Sequence, residues 1–369
     1  MEKVTEMTYT LDKELNQGND RNSSIELLRI ISMIGVIILH YNNEEIGCAL
    51  KYVTEGSLNQ YYLYLTSNIF IGAVDLFIII SAYYLASTNQ RKLIKIVELI
   101  VQVIVFKCAI YISESIIGIH SFTVKGFLGC LLPINYFVIL YSVIYILSPY
   151  FNILIDKLER KQFKKLVIIL LFVFSVWTIL VDFLANAAHT PLNGLSTVGL
   201  YGSQYGYSIV NFSLVYFVGA YIRINNVKLS SKKAVYGIII IFAVMFISSI
   251  LEHLMGFSNI STWNYNNPLI IINDALILII FLNIHFQNKL INELAKGAFT
   301  CFLFHKVFMT YLSIENMVDQ NVLFLVIHQF GVAIALYILS YVVFKIYHLC
   351  SRWFIKLLTP LCDKINISV

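Results

Sequence analysis

Charge is scarce in this sequence. Asp, Glu, Lys and Arg make up 13% of 369 residues while 59% are hydrophobic, and the apolar excess is spread along the chain instead of gathered in one core. An ordinary soluble domain carries about 25% charged residues, so that class is excluded and a polytopic membrane protein is implied. Other absences narrow the reading. The six cysteines (Cys48, Cys108, Cys130, Cys301, Cys350, Cys362) show no CxxC spacing and read as membrane or interface residues; only Cys48 and Cys130 are expected near the outer face, and nothing supports a bridge between them. There is no Walker-type Gly-rich phosphate loop and no HExxH helix, so neither ATP hydrolysis nor zinc chemistry is indicated and no metal is expected. The first 24 residues are polar and mix acids with bases, and no small-residue cleavage site follows the next segment, which predicts a retained helix instead of a signal peptide. No internal repeat or soluble second domain is recognisable.

What is present is a series of apolar runs. Ten are long enough to cross, or nearly cross, a hydrocarbon core about 30 Å thick: residues 25–41, 68–87, 93–117, 127–149, 165–184, 208–224, 234–255, 268–286, 298–313 and 321–344. Lys and Arg fall in alternate connections. Lys3, Lys13 and Arg21 precede the first run, Arg91, Lys92 and Lys95 follow the second, and Lys157, Arg160, Lys161, Lys164 and Lys165 follow the fourth. Further groups lie at Arg223 to Lys233, at Lys289 and Lys296, and in the tail from Lys345 to Lys364, whereas the other connections hold only Lys51 and Lys125. Because cytoplasmic loops carry the excess of Lys and Arg, both termini are expected in the cytoplasm. The predicted organisation is a cytoplasmic arm (1–24), an all-α transmembrane domain (25–345) and a cytoplasmic tail (346–369). The formal net charge of +5 needs no nucleic acid to explain it.

The first run, ELLRIISMIGVIILHY, keeps Arg29 near its start and His40 near its end. An ionisable side chain at the centre of the bilayer costs about 2.5–3.5 kcal/mol on the insertion scale, so such residues mark sites by default. Eleven residues on a helix are three turns plus about 20°, with a rise of about 16 Å, so the two share one face. Arg29 then lies near the cytoplasmic surface, suited to phosphates, and His40 in the outer half, suited to accepting a proton. The plainer reading makes Arg29 a snorkelling anchor and His40 an interfacial residue.

Arg29, ten residues, then His40 resembles the first-helix signature of the acyltransferase 3 family, integral-membrane enzymes that acylate surface glycans and other extracytoplasmic molecules. The likeness continues in VDLFIIISAYYLA from Val74, NYFVILYSVIYILSPYFN from Asn135, VYFVGAYIRI from Val215 and GAFTCFLFHKVF from Gly297. It spans residues 22 to 345, with departures at Ala82, where Gly is usual, Tyr136 for Trp, Phe302 for Tyr, and Ala298 where Ser or Thr is common.

The resemblance implies transfer of an acyl group, most often acetyl, from cytoplasmic acyl-CoA to a hydroxyl of an extracytoplasmic sugar or polysaccharide, in a bacterial cytoplasmic membrane. Arg29 with Arg91, Lys92 and Lys95 is then expected to hold the phosphates of acyl-CoA, and His40 to act as general base or, in the second reading, as a transient acyl carrier. Asp75, placed about 10 Å below the outer edge and level with His40, is expected beside the imidazole, fixing its tautomer; its structural alternative is a carboxylate pairing a basic group between two helices. His305 is read as a second acid/base group or a donor to the thioester oxygen, or as an imidazole bonded to a neighbouring helix. Ser81 is read as packing or bonding to backbone, Glu98 and Lys107 as insertion or helix-pairing residues, and Asp182, Glu252 and His253 as residues of outer helix ends.

On the acceptor side, residues 185–207 carry no Lys, Arg, Asp or Glu, and the loop from Gly256 offers Trp263 and Tyr265. Aromatic faces and amides suit a neutral sugar or a lipid-linked one, though Trp and Tyr also form the interfacial belt. A competing class is a proton-coupled transporter or flippase of a sugar-containing lipid, with Asp75, His40 and His305 as a relay. Against it stands the lack of an inverted repeat or of Gly/Pro-broken helices in matching halves.

Overall fold

Apolar runs this long can satisfy their backbone groups inside a bilayer only as helices. The computed structural model, described over residues 22–368, is built that way. Helix α1 (Ser23–Asn42) is followed by α2 (Ala49–Tyr52), α3 (Leu58–Phe70) and α4 (Ala73–Leu85), then by strand β1 (Gln90–Arg91). Next come α5 (Ile94–Ile116), α6 (Val124–Cys130), α7 (Tyr136–Asp156), α8 (Arg160–Leu171) and α9 (Trp177–Ala187), the last two joined through a π turn at Phe172–Val176. The chain ends with α10 (Ile209–Ile224), α11 (Ser231–Leu254), α12 (Pro268–Leu282), α13 (Lys289–Leu294), α14 (Ala298–Met309), α15 (Val322–Asp363) and β2 (Ile367–Ser368). Among the described residues, eight helical spans are long and apolar enough to cross a membrane, α3–α4 and α8–α9 each counting as one. The shorter α10 and α14 occupy the sixth and ninth expected segments. The protein is therefore an all-α polytopic membrane protein. Residues 1–21 of the expected N-terminal arm, with Lys3, Lys13 and Arg21, lie outside the described residues.

Three boundaries differ from the sequence reading. The second span begins at Leu58, ten residues earlier than expected, because its polar side chains are satisfied inside the protein. Asn42 Nδ2 donates to Leu63 O, Thr66 Oγ1 and Ser67 Oγ at 2.9–3.1 Å, Gln329 donates to Asn42, and Tyr62 donates to Gln329. The fourth run is divided by Pro133, and α7 starts only at Tyr136, where the Asn135 side chain caps it by accepting from Val138 N. The last helix has no break at residue 345. It runs 42 residues, about 63 Å at 1.5 Å per residue, and the chain then returns so that β2 pairs antiparallel with β1, Gln90 opposite Ser368 and Arg91 opposite Ile367.

Helix α1 is the centre of the bundle, in contact with α3, α4, α12, α13, α14 and α15. Met33, Ile37, Ile38 and Tyr41 are fully buried along it. The most extensive helix pair is α4 with α10. Gly219 permits it: a Cβ there would lie 2.7 Å from both Ala82 Cβ and Ile79 O, the small-residue device that lets membrane helices approach closely. Around this centre α5 and α11 leave apolar side chains such as Val105, Ile112, Ile239 and Ile247 exposed, as a hydrocarbon surround requires. The Lys- and Arg-rich connections gather at the end where α1 begins: Ser23 bonds to Asn288 and Asn292, Ser24 to Phe281 O, and Arg223 lies over the Tyr83 ring. We call this the basic end.

The α3–α4 span is interrupted at Ile71–Gly72. The last backbone bond of α3 runs from Ile71 N to Ser67 O and the first of α4 from Leu76 N to Gly72 O. Residue 72 has to be glycine, because the Asp274 carboxylate of α12 occupies the place of its Cβ.

Candidate functional site

The structure brings two of the predicted residues together. His40, in the last turn of α1, and His305, on α14, have ring centroids 5.0 Å apart. Their hydrogen bonds set the ring nitrogens differently. His305 Nδ1 lies 2.8 Å from the carbonyl oxygen of Cys301, one turn earlier on its own helix, so Nδ1 carries the hydrogen; Nε2, fully buried and without a partner, keeps its lone pair. His40 Nδ1 lies 3.3 Å from the amide nitrogen of Asn43, which can only donate, and Asn43 Oδ1 is held in turn by Ile46 N. The hydrogen of His40 therefore sits on Nε2. One imidazole offers a lone pair, its neighbour an N–H.

A cleft of about 190 Å³ runs between the same helices, with Arg29 and Lys296 in its wall and Val36, Phe77, Phe137, Phe299 and Phe302 lining its apolar part. The Phe302 ring stands 6.3 Å from His305 and 5.1 Å from Phe137. The cations at the mouth are not bare. Arg29 pairs with Glu26 at 2.9 Å, and Lys296 with Glu293 at 2.6 Å. Hydrogen bonds from Lys296 and then Lys345 hold the Glu293 carboxyl down at about 2, well below the usual range.

Arg91 and Lys92 were both expected to face phosphates, and the structure divides them. Arg91 is 1% exposed. Its Nε donates to Ser148 Oγ, its Nη1 to Thr88 O, Thr88 Oγ1 and Gln90 O, and its Nη2 to Leu85 O, all at 2.7–2.9 Å. The guanidinium is spent on the loop after α4, which it shapes. Lys92 is exposed, and with Lys95, Thr88, Asn89, Gln90, Tyr145 and Ser368 of β2 it lines a cavity of about 650 Å³ at the basic end.

Asp75 does not stand beside His40. Because the span starts at Leu58 and breaks at Gly72, Asp75 falls in the first turn of α4, fully buried, and its one hydrogen bond is a 3.4 Å contact from Asn211 Nδ2. The expected carboxylate partner of the imidazole is replaced by His305. Ser81 bonds to Phe77 O and Lys107 to Leu132 O. Glu252 is buried, its carboxylate gripping the amides and hydroxyls of Ser261 and Thr262.

That grip turns the two predicted sugar platforms inward. Trp263 packs edge-on to Tyr64 and donates to Asn68 Oδ1 at 3.0 Å. Tyr265 is 8% exposed against Tyr207. In the 185–207 loop Tyr201, Tyr205 and Tyr207 are exposed instead. Sequence reasoning also missed Asp274 and Asn211, although an Asp inside PLIIINDALILIIF carries the signal that singled out Arg29 and Asp75.

Among the described residues no group of three or more His, Cys, Asp or Glu could hold a metal ion, and all six cysteines are free. Searches of curated proteins and of solved structures return no match. A family model described as an acyltransferase domain matches residues 22–358, taking in both imidazoles, the cleft and all of the lysine cavity's lining but Ser368. Nearly the whole chain is covered, and the protein belongs to the acyltransferase 3 family, a membrane acyltransferase built around α1.

Proposed function

We propose that the protein moves an acyl group, acetyl in the simplest case, from cytoplasmic acyl-CoA to a hydroxyl of a sugar or polysaccharide at the outer face of a bacterial cytoplasmic membrane, with the basic end of the bundle in the cytoplasm. Family membership supports the reaction class. The observation that carries the rest is that the imidazole pair stands on the same two helices, α1 and α14, that line an apolar cleft with Arg29 and Lys296 in its wall. Lys92 and Lys95 suit the phosphates of a coenzyme A head, Arg29 the phosphates nearer its pantetheine arm, and the phenylalanine cleft the arm and acyl group.

The hydrogen bonds favour a division of labour in which His305 Nε2 takes the proton of the acceptor hydroxyl and His40 Nε2–H donates to the thioester oxygen as negative charge develops there. The hydroxyl oxygen bonds to the acyl carbon, the carbon–sulfur bond breaks, and the proton returns from the imidazole to the coenzyme A sulfur. This reverses the sequence expectation, which made His40 the base. Tyr201, Tyr205 and Tyr207 are the aromatic faces open to the acceptor.

The test uses proteoliposomes with labelled acetyl-CoA and an envelope-glycan acceptor. Native protein should place label in glycan, and Arg29→Gln should raise KM for the donor about tenfold or more, the worth of a charge-assisted hydrogen bond, with kcat little changed. Donor binding without a covalent product would move the reading to transport of a sugar-containing lipid.

A further inference from the structure

Asp274 of α12 is 1% exposed, and neither of its carboxylate oxygens has a hydrogen-bond partner. Asp75 is fully buried, with Oδ2 unpartnered. Both meet at one place. The Asp274 carboxylate presses on Gly72, the residue capping α4, and Asp75 lies three residues on in the first turn of that helix, within electrostatic reach of Asp274. Asn211 of α10, 1% exposed, donates through Nδ2 to Asp75, leaving its own Oδ1 at the same spot, buried and unpartnered. The break places the carbonyls of residues 68–71 outside the backbone ladders of α3 and α4.

Two carboxylates inside a membrane bundle, neither of them in an ion pair with a Lys, Arg or His, are missing positive charge; an uncompensated buried ion costs several kcal/mol. The groups on offer are all oxygens, which select a hard cation. Interrupted membrane helices, with freed carbonyls and a nearby carboxylate, are where such ions bind in transporters. We propose that Asp75, Asp274 and the Asn211 amide oxygen, at the helix break beside Gly72, bind a hard metal cation, sodium or calcium, that ties α4, α10 and α12 together. Calcium alone balances the two negative charges; sodium does so with one proton kept on the pair. Magnesium, which holds its waters and wants regular octahedral geometry, does not suit a site this closed. The inference stands on burial and geometry and is independent of the acyl donor and acceptor.

The test is thermal melting of the purified full-length protein in nanodiscs, stripped with chelator and read at about pH 8 in choline chloride, NaCl, CaCl₂ or MgCl₂ at matched ionic strength. Sodium or calcium should raise the melting temperature saturably by a few degrees over choline, as for any ligand bound only by the folded state. Asp274→Asn and Asp75→Asn should lose that shift. Gly72→Ala, which drives a methyl into the carboxylate position, should weaken it. Should these variants not fold, ²²Na⁺ or ⁴⁵Ca²⁺ retained by the native protein at about one ion per chain supports the site. Equal melting in all four salts with no retained isotope overturns it. So does a shift that survives Asp274→Asn, or stability that follows pH alone and marks the pair as simply protonated.

Discussion

His40 and His305 face each other between α1 and α14, with Phe302 of the cleft wall beside them, and Asp75 and Asp274 lie at a helix break; both are pairs of ionisable groups set inside one bundle, yet they are held in opposite ways. Each imidazole is oriented by a bond within its own stretch of chain, His305 by Cys301 O and His40 by Asn43, so each tautomer is set locally. The carboxylates receive a single weak bond between them, from Asn211, and it leaves both Asp274 oxygens without a partner. A pair whose rings are each fixed by a bond of their own, one presenting a lone pair and the other an N–H, is prepared for chemistry. A pair of carboxylates whose spare oxygens are left without a bond needs a permanent partner.

The comparison breaks most directly at the imidazoles. His305→Gln and His40→Gln should each lower kcat by about 10²–10⁴-fold with little change in donor KM, and the double variant should lose hardly more than either alone, because the two act as one unit. Single-turnover transfer from labelled acetyl-CoA measures it. Losses that multiply would mean that the rings serve separate steps, and the assignment of base and donor would fall.

A smaller effect separates the pairs through the helices that carry them. Gly219→Ala pushes a methyl against Ala82 and Ile79 O, so it should part α4 from α10 and cost about 1–3 kcal/mol as overpacking does. Asp75 and Asn211 lie on those two helices, whereas the imidazoles lie on α1 and α14. The variant should melt earlier and show a weaker cation shift while turnover per folded molecule stays near native. Adding Ala82→Gly should restore part of the loss.

How the sequence could and could not be read follows the same physics. Helical spans were legible because hydrocarbon demands long apolar runs, and the separation of Arg29 and His40 along α1 because a helix has a fixed rise. The start of the second span was hidden, since Asn59, Gln60, Thr66 and Ser67 look like loop residues until Asn42 is seen to bond Thr66 and Ser67, the backbone of residues 318 and 320 to bond Asn59, and Gly56 N to bond Gln60. That one misplaced boundary put Asp75 at the wrong depth and beside the wrong partner. Arg91 failed for a different reason: a guanidinium bonding five oxygens of its own fold and one facing phosphates are written with the same letter. Asp274 was visible and passed over.

The smallest effect concerns a carboxylate with the opposite problem, Glu293, which has two lysine partners and stands outside the spans. Its carboxyl is lowered from an ordinary value near 4.5 to about 2, first by the bond from Lys296 and then by that from Lys345. A depressed carboxyl adds stability in full above its unfolded value and loses it as pH falls through the folded one. Glu293→Gln should therefore melt slightly below native at neutral pH, and the gap should close on acidification from about pH 5 toward pH 2. A third of the Glu293 side chain and about half of the Lys345 side chain are exposed, so the gap should be small and shrink in high salt. The sealed acid pair should behave otherwise, since ionic strength cannot screen it and only a cation that fits can replace what it lacks. A Glu293 gap indifferent to pH and salt would show that the lysines hold α13 to α15 by packing alone.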